Sequence, residues 1–278
     1  MQINEALLQL EYSISEKFDE IESLRTDLLG VSMQLGIIQE MVSYFYTPES
    51  KKRLLAIWRL PRYIDNVLTL DETRQRAIKE ALEYIRSGEN VVILGDPGVG
   101  KTVLLYVLWN ELSKDHNTAL LHDTENLKIL HEKWGYILFY DDLPESKKLI
   151  YAIGEHATKG IVTTARKQEW SNLPVKTRTL FRQVELPKMP DNIIKDILIK
   201  HLQNYGISWE ENAINTIVRN ANGDPIYIRF LVEELDASGI RKLTNDYAKE
   251  TPQGMKDYIS EILAKTLFEK SGILYQPR

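Results

Sequence analysis

The chain of 278 residues is long enough for a large hydrophobic core divided into two or three units. Its composition, 27% charged and 43% hydrophobic, is ordinary for a globular protein, and a net charge of −5 excludes a globally basic nucleic-acid-binding surface. The absence of cysteine excludes disulfides, thiol catalysis and cysteine metal sites, and the five histidines form no metal-binding pattern. No apolar run reaches membrane-spanning length and the N-terminus does not read as a signal peptide, so we expect a cytoplasmic protein.

The first segment, residues 1–46, carries a heptad pattern of apolar residues. Its members are Ile3, Leu7, Leu10, Ile14, Ile21, Leu24, Leu28, Val31, Leu35, Ile38, Val42 and Phe45. Because only Lys17 interrupts the spacing and no proline occurs, the pattern predicts one long helix with a coiled-coil stripe. We expect this stripe to make homo-oligomers or to recruit a protein partner. The alternative is a helical hairpin folded back on its own chain, with breaks at Gly30 or Gly36.

Residues 47–67 form a basic, amphipathic linker. Five cations are concentrated there: Lys51, Lys52, Arg53, Arg59 and Arg62. These side chains are candidates for contacts with DNA phosphates, and Trp58 or Tyr63 would then stack on bases. The alternative is a helix that packs its apolar side inward and leaves its charges in water.

The most specific pattern is VVILGDPGVGKT, residues 91–102, which follows a helix predicted over 71–87. Its first four residues predict a buried parallel strand, and the rest matches the G-x-x-x-x-G-K-[ST] pattern of a phosphate-binding loop. Lys101 supplies a cation for the β- and γ-phosphates, and Thr102 supplies a hydroxyl for Mg²⁺. The residues expected to bind the nucleotide are Gly95, Asp96, Pro97, Gly98, Val99, Gly100, Lys101, Thr102 and Val103. The sequence therefore predicts a site for ATP and Mg²⁺.

Two later apolar strands end in polar side chains. The first, YILFY, is followed by Asp141, expected to orient Mg²⁺, and Asp142, expected to polarise the attacking water, with Glu145 as the next candidate for that role. The second ends in Thr164 and is followed closely by Arg166. Because the carboxyl ends of parallel strands meet at one edge of a sheet, we expect these two side chains to lie near the γ-phosphate.

With these residues in place, the chain resembles the AAA+ and STAND branches of P-loop ATPases. GDPGVGKT is similar to their Walker A motif, ILFYDD to Walker B, IVTTAR to the sensor-1 strand, and NGDPIYIRFLVEEL to the lid helix with its G-x-P turn. The resemblance spans about 68–235 and implies ATP hydrolysis coupled to assembly or movement. It also implies that arginines before the last strand face a neighbouring subunit's nucleotide. Arg178 and Arg182 precede that strand, on one face if the segment is helical.

The resemblance and the predicted elements together give the fold. We expect an α/β protein with a doubly wound parallel-sheet P-loop ATPase core, a small helical lid and an N-terminal coiled-coil helix. Lid helices are predicted over Asp191–Asn204, Glu210–Asn220 and Pro225–Leu235. The expected boundaries are 1–46 for the coiled coil, 47–67 for the linker, 68–188 for the core, 189–240 for the lid and 241–278 for a helical tail.

Two departures from the family pattern concern the site. Walker B ends in Asp-Asp, not in the Asp-Glu of many AAA+ proteins, and the lid position of the sensor-2 arginine falls near Ile226, with Arg229 as the nearest arginine. The favoured function is a self-associating ATPase that acts in DNA replication, transposition or mobile-element maintenance. The alternative is an ATP-dependent signalling or scaffold switch that recruits a partner through its coiled coil.

Overall fold

The computed structural model describes residues 48–121, 135–145, 147–156 and 159–260, together with six residues of the N-terminal segment. Those six are Lys17, Glu20, Ile21, Leu24, Arg25 and Leu28, and all are helical. Most of the predicted heptad helix and the tail after residue 260 lie outside the described residues. The coiled coil and its hairpin alternative therefore stay predictions.

The helices and strands follow the predicted order along the chain. The helices are α1 (Pro48–Ile57), α2 (Ile64–Val67), α3 (Glu72–Arg86), α4 (Lys101–Leu112), α5 (Lys147–His156), α6 (Lys167–Ser171), α7 (Val175–Arg178), α8 (Asp191–Asn204), α9 (Glu211–Ala221), α10 (Pro225–Ala237) and α11 (Asn245–Glu250). The strands are β1 (Asn90–Leu94), β2 (Thr118–Leu120), β3 (Ile137–Tyr140), β4 (Ile161–Ala165), β5 (Phe181–Glu185), β6 (Ser208–Trp209) and β7 (Lys242–Leu243). No helix in the described ranges is long and apolar enough to cross a bilayer.

Five parallel strands form the central sheet in the order β2-β3-β4-β1-β5. β1 is hydrogen-bonded to β4 on one side and to β5 on the other, and every residue of β1 and β4 is buried. Val91 and Ile93 belong to one hydrophobic cluster, which α1, α3 and α4 share, whereas Val92 and Leu94 belong to a second cluster on the α5 and α6 side. Helices thus cover both faces, which explains the continuous apolar strands and confirms the doubly wound sheet.

The basic amphipathic segment before the core contains α1 and α2 and packs on the core. Leu54, Leu55 and Trp58 of this segment are buried in the cluster that α4 shares. Lys51 forms an ion pair with Asp65 at 2.5 Å, so one of the five predicted DNA-contacting cations is paired within the chain. The inward packing of the apolar side is therefore confirmed, and the remaining cations are exposed: Lys52, Arg53, Arg59 and Arg62.

The lid has its own hydrophobic core and extends beyond the expected boundary at residue 240. α8, α9 and α10 bury one continuous cluster, to which Leu243, Ala248 and Tyr258 also contribute. β6 and β7 pair beside it in a two-stranded sheet. The first part of the predicted tail is thus a structural part of the lid, because its apolar residues complete the lid's core.

Candidate nucleotide site

The phosphate loop joins the end of β1 to the start of α4. Gly98 and Gly100 have φ angles of +82° and +93°, which glycine adopts without steric cost. Gly100 is the N-cap residue of α4, so the free N–H groups of the first helical turn begin at Lys101. The loop therefore has the backbone conformation and the helix N-terminus that a phosphate group requires.

The ammonium group of Lys101 is folded over the loop. Its Nζ donates hydrogen bonds to the carbonyl oxygens of Gly95 at 3.1 Å and Asp96 at 2.9 Å. Burial lowers the pKa of Lys101, and the negative charge of Asp142 acts in the opposite direction. The acceptors that hold Lys101 are thus neutral carbonyl oxygens. Charged phosphate oxygens bound at the same place would be stronger hydrogen-bond acceptors.

A chain of hydrogen bonds connects the phosphate loop to the ends of β3 and β4. The two carboxylate oxygens of Asp141 accept bonds from the hydroxyl of Thr102 at 2.9 Å and the hydroxyl of Thr164 at 2.5 Å. The backbone N–H of Asp142 donates to the same Thr164 hydroxyl at 2.8 Å. The structure therefore brings together the predicted metal ligands, the predicted water-polarising residue and Thr164, although they come from three separate motifs.

The donor set at Thr102 and Asp141 suits Mg²⁺. A hydroxyl and a carboxylate are hard oxygen ligands, and Mg²⁺ in nucleotide sites is held by one or two such groups plus water and substrate phosphates. Within the described ranges no three acidic or histidine side chains cluster as a metal cage. These residues would accordingly hold Mg²⁺ jointly with a bound nucleotide.

Asp142 has an unusual backbone conformation. Its φ of +59° lies in the left-handed region, which is uncommon for a residue other than glycine. In this conformation the backbone N–H of Asp142 donates to the Thr164 hydroxyl. The negative charge of Asp142 raises the pKa of Lys101. Strain of this kind is concentrated at functional sites.

The three candidate arginines lie in different surroundings. Arg166 is exposed and forms an ion pair with Glu169 at 3.0 Å. Arg178 is the last residue of α7 and Arg182 lies within β5, so the segment is not one helix and the two arginines do not share a helical face. The strand forms through backbone pairing with β1, which is in register from Phe181 to Glu185.

Arg182 lies far from the phosphate loop of its own chain. It is paired in register with Val91, near the amino end of the sheet, whereas the loop leaves the carboxyl end of β1. Its guanidinium forms an ion pair with Glu89 and lies 5.7 Å from the centre of the Tyr84 ring. Any action of Arg182 on a phosphate is therefore restricted to the nucleotide of another subunit.

An apolar cavity of about 400 Å³ adjoins the loop. Its volume falls in the range of small-molecule sites. Three parts of the chain supply its walls: Trp58, Leu60, Pro61, Ile64, Val67 and Leu68 from the segment before α3; Gly98 and Gly100 to Val103 from the loop; and Met189, Ile197, His201, Pro225, Ile226, Arg229 and Phe230 from the lid. Most of these residues were missed by sequence reasoning, because only the fold brings the three segments together.

Hydrogen bonds connect the two walls of this cavity. The Tyr63 hydroxyl lies 3.3 Å from Nδ1 of His201, and Lys200 donates to the Thr69 hydroxyl at 2.8 Å. Burial lowers the pKa of His201 to about 4, with a smaller contribution of the same sign from the charge of Arg229. His201 is therefore neutral at physiological pH.

Arg229, the lid arginine nearest the expected sensor-2 position, already has hydrogen-bond partners within the chain. Arg229 donates to Glu233 at 2.7 Å and to the backbone carbonyl of Arg59 at 2.5 Å. It lines the cavity with two of its three guanidinium nitrogens bonded within the chain. The departure from the family pattern at the sensor-2 position is thus accompanied by an arginine that is bonded to Glu233 and Arg59.

The turn before α10 contacts the phosphate loop. Asp224 caps α10 by accepting a bond from the N–H of Ile226 at 2.8 Å. A Cβ atom at Gly98 would lie only 2.3 Å from the nearer Asp224 carboxylate oxygen, so the two residues are in contact and Gly98 has no room for a side chain. Burial raises the pKa of Asp224. The lid therefore touches the loop directly.

The sheet order, the loop after β1, the carboxylates after β3 and the helical lid together give the chain the fold of AAA+ P-loop ATPases. Residues 73–163 match the family model for Novel STAND NTPase 3.

Solved structures with this fold include the Thermotoga maritima RuvB Holliday junction branch migration motor, with 18% identity and a TM-score of 0.53 over 76% of this chain and 80% of RuvB. Domain III of the Thermotoga maritima replication initiation protein DnaA has 16% identity and a TM-score of 0.52 over 68% of this chain and 94% of that domain. No curated protein matches the chain significantly in sequence. At these identities the likeness establishes the fold.

Proposed function

We propose that the chain is a Mg²⁺-dependent ATPase that self-associates and acts in DNA replication, transposition or mobile-element maintenance. The observation that carries the ATPase activity is the hydrogen-bonded chain from Thr102 through Asp141 to Thr164, beside an apolar cavity large enough for a nucleoside. The base would lie in the cavity and the phosphates on the loop.

The residues of the chain have separate tasks in this proposal. The loop N–H groups bind the phosphates, and Lys101 exchanges its two carbonyl acceptors for phosphate oxygens. When bound by Thr102 and Asp141, Mg²⁺ supplies electrostatic stabilisation of the charge on the β- and γ-phosphates. Asp142 polarises the attacking water, and Thr164 orients both carboxylate-bearing residues.

DNA is the proposed partner for two reasons. The named relatives are a Holliday junction motor and a replication initiation protein. The outer side of the segment before α3 also presents Lys52 and Arg62, together with Arg53 and Arg59, while its apolar side is packed. A local basic face of this kind can bind phosphates although the whole chain is acidic.

The test is the ATPase rate with and without duplex DNA at low salt. We expect DNA to stimulate hydrolysis, and the double change Lys52→Glu with Arg62→Glu to remove the stimulation while leaving the basal rate unchanged. Lys176→Glu with Lys249→Glu, at exposed positions elsewhere, is the matched control. Nucleotide-dependent assembly without any response to DNA would instead favour the alternative, a signalling or scaffold switch, to which the match with a STAND family model also points.

Self-association is proposed through the N-terminal stripe. Three members of the stripe that the structure describes, Ile21, Leu24 and Leu28, are 60%, 62% and 68% exposed in the single chain. Apolar side chains at coiled-coil spacing are stabilised by burial against a second helix. A second copy of the same stripe would provide that helix.

Deletion of residues 1–46 should lower the oligomeric state and leave nucleotide binding by the monomer intact. Sedimentation velocity measures the mass distribution. Leu24→Glu with Leu28→Glu should reproduce the deletion, whereas Arg25→Glu, at an exposed position off the stripe, should behave as the parent. An unchanged mass distribution after the deletion would favour the folded-back hairpin.

A further inference from the structure

Arg74 is a buried arginine in the first turn of α3 that no motif includes. The residue is only 2% exposed. Its Nη1 forms an ion pair with the Asp71 carboxylate at 2.8 Å, and the other oxygen of that carboxylate caps the helix by accepting the N–H of Arg74 at 2.7 Å. Asp71 therefore fixes the guanidinium at one edge.

The opposite edge of the guanidinium bridges two distant parts of the chain. Nη2 donates to the carbonyl oxygen of Val99 at 3.0 Å and to that of Pro187 at 2.9 Å. Val99 belongs to the phosphate loop, and Pro187 lies where the chain leaves β5 for the lid. One planar –NH₂ group thus holds both carbonyls, and neither can move without disturbing the bond to the other.

We propose that Arg74 is a positioning residue that transmits the state of the phosphate loop to the lid. The proposal rests on the nucleotide binding proposed above. When phosphates draw Lys101 away from the loop carbonyls, the loop rearranges around Val99, and Arg74 passes the change to Pro187 at the lid's point of attachment. The lid has a second contact with the same loop, between Asp224 and Gly98.

Only an arginine makes these contacts together. A lysine ammonium carries the same charge on a single atom and cannot reach a carboxylate and two carbonyls arranged around a planar fork. Arg74→Lys therefore preserves the charge and removes the bridge. Arg76, on the same helix, is exposed and donates only to the Glu72 carbonyl at 3.4 Å, so Arg76→Lys is the matched control.

The experiment follows the lid directly by energy transfer between two dyes. Because the chain contains no cysteine, Lys79→Cys on the core and Ser238→Cys on the lid provide two labelling sites at exposed positions. In the parent and in Arg76→Lys, saturating ATP should change the transfer efficiency. In Arg74→Lys, we expect this change to be lost at saturating ATP and the Kd for ATP to rise about tenfold, the cost of one charge-assisted hydrogen bond.

A second variant covers the possibility that Arg74→Lys does not fold. Asp71→Asn with Arg74→Met retains a capping side chain and removes both buried charges, so it leaves no unpaired ion. It should fold, bind ATP and lack the lid response. A parental lid response in either folded variant would overturn the role of Arg74 alone. Failure of the parent itself to bind ATP would overturn the proposed function and this proposal with it.

Discussion

Lys101→Ala should abolish tight ATP binding. The change removes the cation proposed to bind the β- and γ-phosphates, in a half-buried site where its charge is poorly screened. Charge-assisted hydrogen bonds contribute about 1.5–3 kcal/mol each, so loss of two corresponds to an increase in Kd of roughly 10²-fold or more. Titration calorimetry with ATP and with ADP measures the effect.

Two further variants show whether the loss of ATP binding is specific to Lys101. Lys114→Ala, at an exposed position in the turn that follows the same helix, should bind ATP as the parent does. Asp142→Asn should bind ATP normally and hydrolyse it slowly, because it keeps the shape of the site and loses the negative charge proposed to polarise the attacking water. If Asp142→Asn hydrolyses ATP at the parental rate, Glu145 becomes the candidate for polarising the attacking water.

Arg182→Ala should leave ATP binding intact and lower hydrolysis by as much as about 10³–10⁵-fold, the range for an arginine supplied to the γ-phosphate. Because Arg182 lies near the amino end of the sheet, this effect requires a neighbouring subunit. The parental rate per subunit should therefore rise with protein concentration. Steady-state ATPase rates over a concentration series measure both expectations.

Mixing two inactive variants distinguishes action between subunits from action within one. Arg182→Ala retains a complete nucleotide site, and Lys101→Ala retains the arginine, so a mixture should recover activity only if Arg182 acts in trans. Arg178→Ala is the control for the adjacent arginine, whose Nε is bonded to the Leu173 carbonyl. A concentration-independent rate without recovery would identify Arg166, acting in its own subunit, as the better candidate.

The parts of the site that were predictable have local signals. The phosphate loop is recognised because glycines, Lys101 and Thr102 occur at fixed spacing between a strand and a helix. Asp141 and Thr164 are recognised because each ends an apolar strand of a parallel sheet, where side chains from different strands converge. The lid helices α8 and α10 begin at the predicted residues, Asp191 and Pro225.

The unpredicted parts depend on contacts between distant segments. Arg74 lies in the polar stretch DETRQR, and nothing in that stretch distinguishes the buried arginine from the exposed Arg76. The cavity walls come from three separate regions. Arg178 and Arg182 have helical spacing, but pairing of β5 with β1 places Arg182 in a strand, an instance of tertiary structure overriding a local pattern.

β1 is synthesised early and acquires its neighbours late. Val91 pairs with Val162 on one side and Arg182 on the other, whereas β2, the next strand along the chain, lies at the far edge of the sheet. On the ribosome the phosphate loop therefore emerges well before the strands that fix it. Such non-local pairing folds slowly, and the unpaired apolar strand is open to association with other nascent chains until β5 has been made. A chain interrupted before residue 181 would carry the whole loop motif and still lack a folded site.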